Sequence, residues 1–175
     1  VRDYRMEDRI EVRFGDGLQI LSKEDEITAV TICGMGGELI SRILEAGYSG
    51  GHLNGQERLI LQSNVAEHFV REWLMKYSYR ITHETVVEDN HRLYEIIVAE
   101  PVEERVEYTE LELKYGPILL QQPSELSVAK WNRMNRKNKE ILEQLQKSKT
   151  PQLEKIEQFE KAFNELQGVI DRANS

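Results

Sequence analysis

Between Ile27 and Leu44 the chain passes from an apolar strand through a glycine turn into an amphipathic helix, and few folds accept that order. Thr28-Ala29-Val30-Thr31-Ile32-Cys33 reads as a buried strand, Gly34-Met35-Gly36-Gly37 as the turn, and the helix opens at Glu38 with Leu39, Ile40, Ile43 and Leu44 on one face. Glycines at the carboxyl end of a strand leave bare backbone where open α/β sheets bind ligands, in the crevice beyond the strand ends. The same turn also serves as a plain tight connection. It misses the dinucleotide pattern G-x-G-x-x-G, because Leu39 stands at the last glycine position.

The flanking segments extend the pattern. Upstream, Ile10-Glu11-Val12-Arg13-Phe14 alternates with a period of two and predicts a strand, which Gly15-Asp16-Gly17 turns into a short apolar helix at Leu18 to Leu21. Downstream, Gly47 is expected just past the end of the helix. Arg58-Leu59-Ile60-Leu61 then reads as a buried parallel strand capped by Gln62-Ser63-Asn64, and Val65 to Tyr77 as a helix packing Phe69, Val70, Trp73 and Leu74. Tyr79 to Val87 and Leu93 to Ala99, joined by five polar residues, form an antiparallel hairpin. The expected fold class is α/β: the C-terminal half of a doubly wound Rossmann-like sheet in which only the final strand is antiparallel.

From Ser124 the period changes. Trp131, Met134, Asn138, Ile141 and Leu145 form one seam at spacings of three and four, and Ile156, Phe159, Phe163, Leu166 and Ile170 form another. Thr150 as N-cap and Pro151 as first helical residue start the second helix, so an antiparallel coiled-coil hairpin is expected, with Asn138 as a polar seam residue that fixes register. The predicted division is an incomplete sheet domain over 1–108 and a helical hairpin over 117–173.

Composition removes several function classes. A net charge of −8 argues against a generic polyanion binder, although residues 130–139 contain no acid and carry Lys130, Arg133, Arg136, Lys137 and Lys139. Such a run is either a solvated helix face or a local phosphate-binding patch. The one cysteine, Cys33, is expected in the buried strand and cannot form an internal disulfide, and the four scattered histidines show no metal-ligand spacing, so no metal is expected. No apolar run approaches the roughly 20 residues that span a bilayer, and a cytoplasmic protein with no membrane association is expected. The chain starts without methionine and its first strand begins in mid-fold, so a missing amino-terminal part is also expected.

Several short motifs in order carry a family resemblance: Val12-Arg13-Phe14-Gly15-Asp16-Gly17-Leu18, Ile32-Cys33-Gly34-Met35-Gly36-Gly37, Ile43-Leu44-Glu45-Ala46-Gly47, Glu57 to Asn64, Arg71-Glu72-Trp73-Leu74 and Tyr94-Glu95. Together they resemble the bacterial tRNA (adenine(22)-N1)-methyltransferase family, class I S-adenosylmethionine-dependent enzymes with a carboxyl-terminal coiled-coil hairpin. Ser63 departs from the proline of the family pattern, and the family's first cofactor glycines are expected upstream of Val1.

The resemblance implies S-adenosyl-L-methionine as cofactor, tRNA as partner and a monomer for the complete protein. It implies cofactor binding by Gly15, Asp16 and Gly17 at the adenine ring and by Gly34, Met35, Gly36 and Gly37 at the methionine and methyl end. A fixed carboxylate such as Asp16 accepts from an exocyclic amine, or else caps the short helix. Gln62 and Asn64 are the expected catalytic pair, reading the edge of a flipped adenine, or else bonding loop backbone. Lys130, Arg133, Arg136, Lys137 and Lys139 are the expected tRNA contacts. The rival readings are a methyltransferase acting on a small molecule or protein, and a non-catalytic module that binds partners through the hairpin.

Overall fold

The computed structural model describes residues 5–147 and 152–175. Its four strands form one mixed sheet in the order β1 (Ala29–Met35), β2 (Arg58–Ser63), β4 (Arg92–Pro101), β3 (Tyr79–Asp89). β1 and β2 pair in parallel and β4 runs antiparallel to both of its neighbours, so the predicted hairpin does insert one reversed strand. Its turn is Asn90-His91, with φ of 47° and 62°, the two positive values that a two-residue hairpin of matching twist requires.

Helices α1 (Gly37–Ser49) and α2 (Glu67–Lys76) connect β1 to β2 and β2 to β3. Both crossovers step across the sheet in one direction, and right-handed crossovers of that kind leave their helices on one face. The buried side chains agree: Val30 and Ile32 lie opposite Leu59 and Leu61, which lie opposite Ala99 and Ile97. On the other side of β1, Ala29, Thr31 and Cys33 are exposed. The expectation of a buried Cys33 is therefore corrected, while the α/β class and the mixed sheet hold; among the described residues the strand order contains no reversal. A bulge between Ile81 and His83 changes the parity of β3, so that Glu84 and Val86 continue the buried face begun by Tyr79 and Ile81.

Three further expectations change. Ile10 to Phe14 is not a strand: Val12 and Phe14 are 78% and 106% exposed, and Arg13 instead pairs with Asp25 at 2.5 and 2.6 Å. Alternation makes a strand only where a partner edge satisfies its backbone. Gly47 does not end α1, which continues to Ser49 with Gly50 as cap; a Cβ at Gly47 would meet Leu18 Cδ1 at 2.6 Å, so the glycine admits the short 3₁₀ turn Gly17–Ile20 against the helix. In α2 the inward face is Val70, Arg71, Trp73 and Leu74, while Phe69 is exposed.

The carboxyl-terminal third begins with α3 (Glu110–Tyr115) and α4 (Pro117–Gln121) and continues in the long helices α5 (Glu125–Gln146) and α6 (Leu153–Ala173). Ser124 caps α5 through the Ser127 N–H at 3.1 Å. Asn135 to Gln167 at 3.0 Å and Gln146 to Glu160 at 3.4 Å show that α5 and α6 run antiparallel. The expected start at Thr150 and Pro151 lies outside the described residues. The buried polar residue facing α6 from α5 is Asn135, with Asn138 only half-buried and Met134 exposed, so the seam follows residues 131, 135 and 138. Val86, Tyr115, Leu119, Trp131, Leu166 and Ile170 form a second core that seats the long helices on β3.

A buried ion network joins the two parts. Arg71, fully buried in α2, donates to Glu84 of β3 at 2.8 Å and to Glu95 of β4 at 2.5 Å, and its third nitrogen reaches the Leu113 carbonyl at 3.3 Å. Glu84 also accepts from the N–H groups of Ile118 and Leu119 at the start of α4. Burial pushes the Glu95 carboxyl up, but Arg71 and then Lys130 outweigh it and hold it below the usual carboxylate range. Removing one partner of such a cluster strands the other charges without water. Arg71→Met is expected to lower unfolding free energy in urea by about 3–5 kcal/mol; a loss under about 1 kcal/mol would mean that the network does not organise the fold.

Candidate active site

The parallel strands β1 and β2 end side by side, and their last side chains and backbone close a hydrogen-bonded ring. The Gly34 N–H donates to Gln62 Oε1 at 2.8 Å, Gln62 Nε2 donates to Asn64 Oδ1 at 3.2 Å, and Asn64 Nδ2 donates back to the Gly34 carbonyl at 2.8 Å. Gly34 adopts φ +81°, and the space a Cβ would occupy there is open, so bare backbone faces the crevice. Gly37 is fixed by packing: its N–H bonds the Val65 carbonyl at 2.9 Å, and a Cβ would lie 2.1 Å from the Ala66 oxygen. Gly36 caps α1, which presents its amino end to the same region, while Met35, Leu39 and Val65 are exposed around it.

The two amides thus bond the backbone of Gly34 at the end of β1, and neither caps α2, whose N-cap is Ala66. The ring leaves capacity unused. Gln62 Nε2 and Asn64 Nδ2 each keep one hydrogen and Asn64 Oδ1 keeps a lone pair, enough to donate to and accept from the polar edge of a base. The donors to Gln62 and from Asn64 fix which end of each amide is oxygen, so the pair is held in one orientation.

Gly15, Asp16 and Gly17 lie elsewhere along α1. Asp16 and Gly17, with Leu18, Gln19, Leu39, Arg42, Ile43 and Ala46, line a cleft of about 190 Å³. The Asp16 carboxylate is exposed and makes no capping bond, which removes the helix-cap role as its explanation. Apolar walls and an uncommitted acceptor suit a flat ring carrying an amine, and the volume suits a ring system rather than an entire nucleoside cofactor. The cleft and the ring share α1 as a wall, with no hydrogen bond between them among the described residues.

The basic residues of α5 divide in two. Lys130, 11% exposed in its side chain, donates to Glu67 at 2.5 Å and Glu95 at 2.9 Å. Arg133 donates to the His91 carbonyl at 3.0 Å and stands 3.7 Å from Glu88. Arg136, Lys137 and Lys139 are exposed. These contacts also orient the helix. Glu95 pairs in register with Ser63 at the end of β2, and the Asn90-His91 turn overhangs that end, so α5 runs from Lys130 to Arg133 toward and past the edge that carries Gln62 and Asn64.

The pairing of Arg71 with Glu84 and Glu95 and its link through Lys130 to Glu67 lie beside the site, and residue patterns did not reveal them, although Arg71, Glu95 and Lys130 each stood in segments singled out above. The signal available was a charged residue inside the apolar stripe of α2 and Glu95 at an inward position of β4; Glu84 turns inward only through the bulge in β3.

A family model described as TrmK, tRNA (adenine(22)-N(1))-methyltransferase, matches residues 1–168. The tRNA (adenine(22)-N(1))-methyltransferase of Bacillus subtilis strain 168 is 38% identical over 168 residues, which cover 93% of this chain and 69% of that protein. The crystal structure of the B. subtilis enzyme TrmK superposes with a TM-score of 0.85 at 34% identity, over 97% of this chain and 74% of that one. A Streptococcus pneumoniae structure in complex with S-adenosyl-L-methionine superposes with a TM-score of 0.83 at 30% identity, over 96% and 72%. The strand-end ring and the cleft beside α1 therefore belong to a member of the TrmK family, an S-adenosylmethionine-dependent tRNA (adenine-N1)-methyltransferase.

Proposed function

We propose that the carboxyl edge of β1 and β2 is the methyl-transfer site, that it acts on adenine 22, and that α5 and α6 form a coiled-coil arm that carries the tRNA to it. The observation that carries this reading is the Gly34, Gln62 and Asn64 ring, which holds two oriented amides beside bare glycine backbone at the strand ends. In this reading residues 1–108 are the second half of a methyltransferase sheet in a cytoplasmic enzyme, and 117–173 are the arm.

S-adenosylmethionine supplies a methyl group already activated on a sulfonium. Asp16 accepts from the amine of its adenine ring between Gly15, Gly17 and the side chains of α1, and Gly34 to Gly37 receive its methionine end. N1 of the target adenine has a lone pair in the ring plane, so the chain need not supply a strong base. It must align the base, and positioning alone reaches effective molarities of about 10⁵ M or more. Gln62 and Asn64 do this by bonding the base edge, and their oxygens face the amine on which positive charge builds. The exposed Arg136, Lys137 and Lys139 hold phosphates; Lys130 and Arg133 are engaged within the protein and attach the arm instead.

Three outcomes test the assignment in the full-length enzyme. Gln62→Ala is expected to lower kcat with tRNA by at least about tenfold, and an unchanged kcat would remove the ring from the chemistry. Asp16→Ala should raise the Kd for S-adenosylmethionine, measured by calorimetry, more than the Kd for tRNA; the reverse order would reassign the cleft. Glutamate at Arg136, Lys137 and Lys139 together should weaken tRNA binding and flatten its salt dependence by roughly 0.7–0.9 log units for each phosphate no longer neutralised, per tenfold change in salt. Unchanged affinity and slope would mean that the arm does not carry tRNA.

A further inference from the structure

We infer that Lys130 is a positioning residue for methyl transfer: it clamps the helical arm to the two segments that flank the Gln62 and Asn64 amides. This rests on the reading of α5 as the tRNA-carrying arm.

The clamp is built from both sides of the site. Glu67 opens α2, three residues after Asn64, and Glu95 is the β4 partner of Ser63, the residue between the two amides. Lys130 reaches both carboxylates, at 2.5 and 2.9 Å, from α5. Glu95 is 3% exposed and its other oxygen is held by Arg71, so the ammonium meets an acceptor already fixed in place. Burial protects these pairs from the salt screening that weakens exposed ones. Arg133, on the His91 carbonyl, is a second and more exposed attachment farther along the same helix.

The consequence is a fixed reach. At 1.5 Å per residue the exposed cations at 136–139 stand about 9–14 Å along α5 from the clamp, a span of about three to four nucleotides of one helical strand. A rigid arm then delivers one nucleotide to the amides for a given phosphate grip, whereas an unclamped arm grips equally well and delivers a spread of positions. Affinity belongs to the exposed cations, and alignment belongs to Lys130.

The test measures tRNA methylation and binding by the full-length enzyme. Lys130→Met is expected to leave tRNA Kd and S-adenosylmethionine Kd within about threefold of wild type while kcat falls by about tenfold to a hundredfold, the scale of a small misplacement. Lys130→Arg, which can still bridge both carboxylates, should restore most of kcat. If Lys130→Met does not fold, Glu67→Gln, which keeps the Glu95 pair, should give a smaller fall in kcat with unchanged Kd. A Lys130→Met or Glu67→Gln enzyme that binds and turns over like wild type overturns the inference, and so does one whose loss lies in tRNA Kd alone. Failure of the arm reading itself is separate: it appears as wild-type affinity in the Arg136, Lys137 and Lys139 variant.

Discussion

The guanidinium of Arg71 is the point through which the two halves of this chain hold one another. It is fully buried, and without partners such a charge would not be tolerated there. Each partner comes from a different element: Glu84 from β3, Glu95 from β4, and the carbonyls of Leu113 and Lys114 from the end of α3. Glu84 then commits its second oxygen to the first N–H groups of α4, and Glu95 commits its other oxygen to Lys130 of α5. One misplaced element leaves a buried charge unsatisfied, so the network selects a single docking of the helices on the sheet. The apolar contacts around Trp131 and Leu119 supply adhesion, which is less particular about geometry.

That docking matters because of where Glu95 sits. It is the register partner of Ser63, and Ser63 separates the two amides of the strand-end ring. The Arg71 cluster therefore lies directly behind the candidate site, on the buried face of the same strands. A methyltransferase that relies on alignment rather than on a strong base gains from such a backing, since the accuracy of its amides is the accuracy of β2 and β4.

How much of this was legible depends on whether the cause was local. Apolar runs located β1 and β2 and helical periodicity located the helices, because each buries a face against a neighbour, and the short polar link before Leu93 could only be a hairpin. The glycine turn and the Gln62 and Asn64 amides were picked out for the same reason, being fixed offsets from strand ends. What failed needed a partner distant in sequence. Among the described residues Ile10 to Phe14 alternates correctly yet has no strand beside it, Gly47 answers to Leu18 rather than to its own helix end, and Cys33 is exposed on an uncovered face of β1. Arg71 looks like an ordinary surface charge, and Lys130 like one more member of a phosphate-binding run, until Glu84, Glu95 and Glu67 are placed around them.

The basic run of α5 shows the same lesson in one helix. Lys130 and Lys137 are seven residues apart, two turns, and so share a face. Lys130 is nonetheless enclosed by carboxylates while Lys137 is exposed. The face has not rotated away between them; its neighbour has ended. By Arg133 the helix is level with the hairpin turn at His91, and beyond it no strand among the described residues meets the helix. The run of charges therefore changes meaning partway along an uninterrupted helix, from internal attachment to external reach, at the point where α5 clears the edge of the sheet.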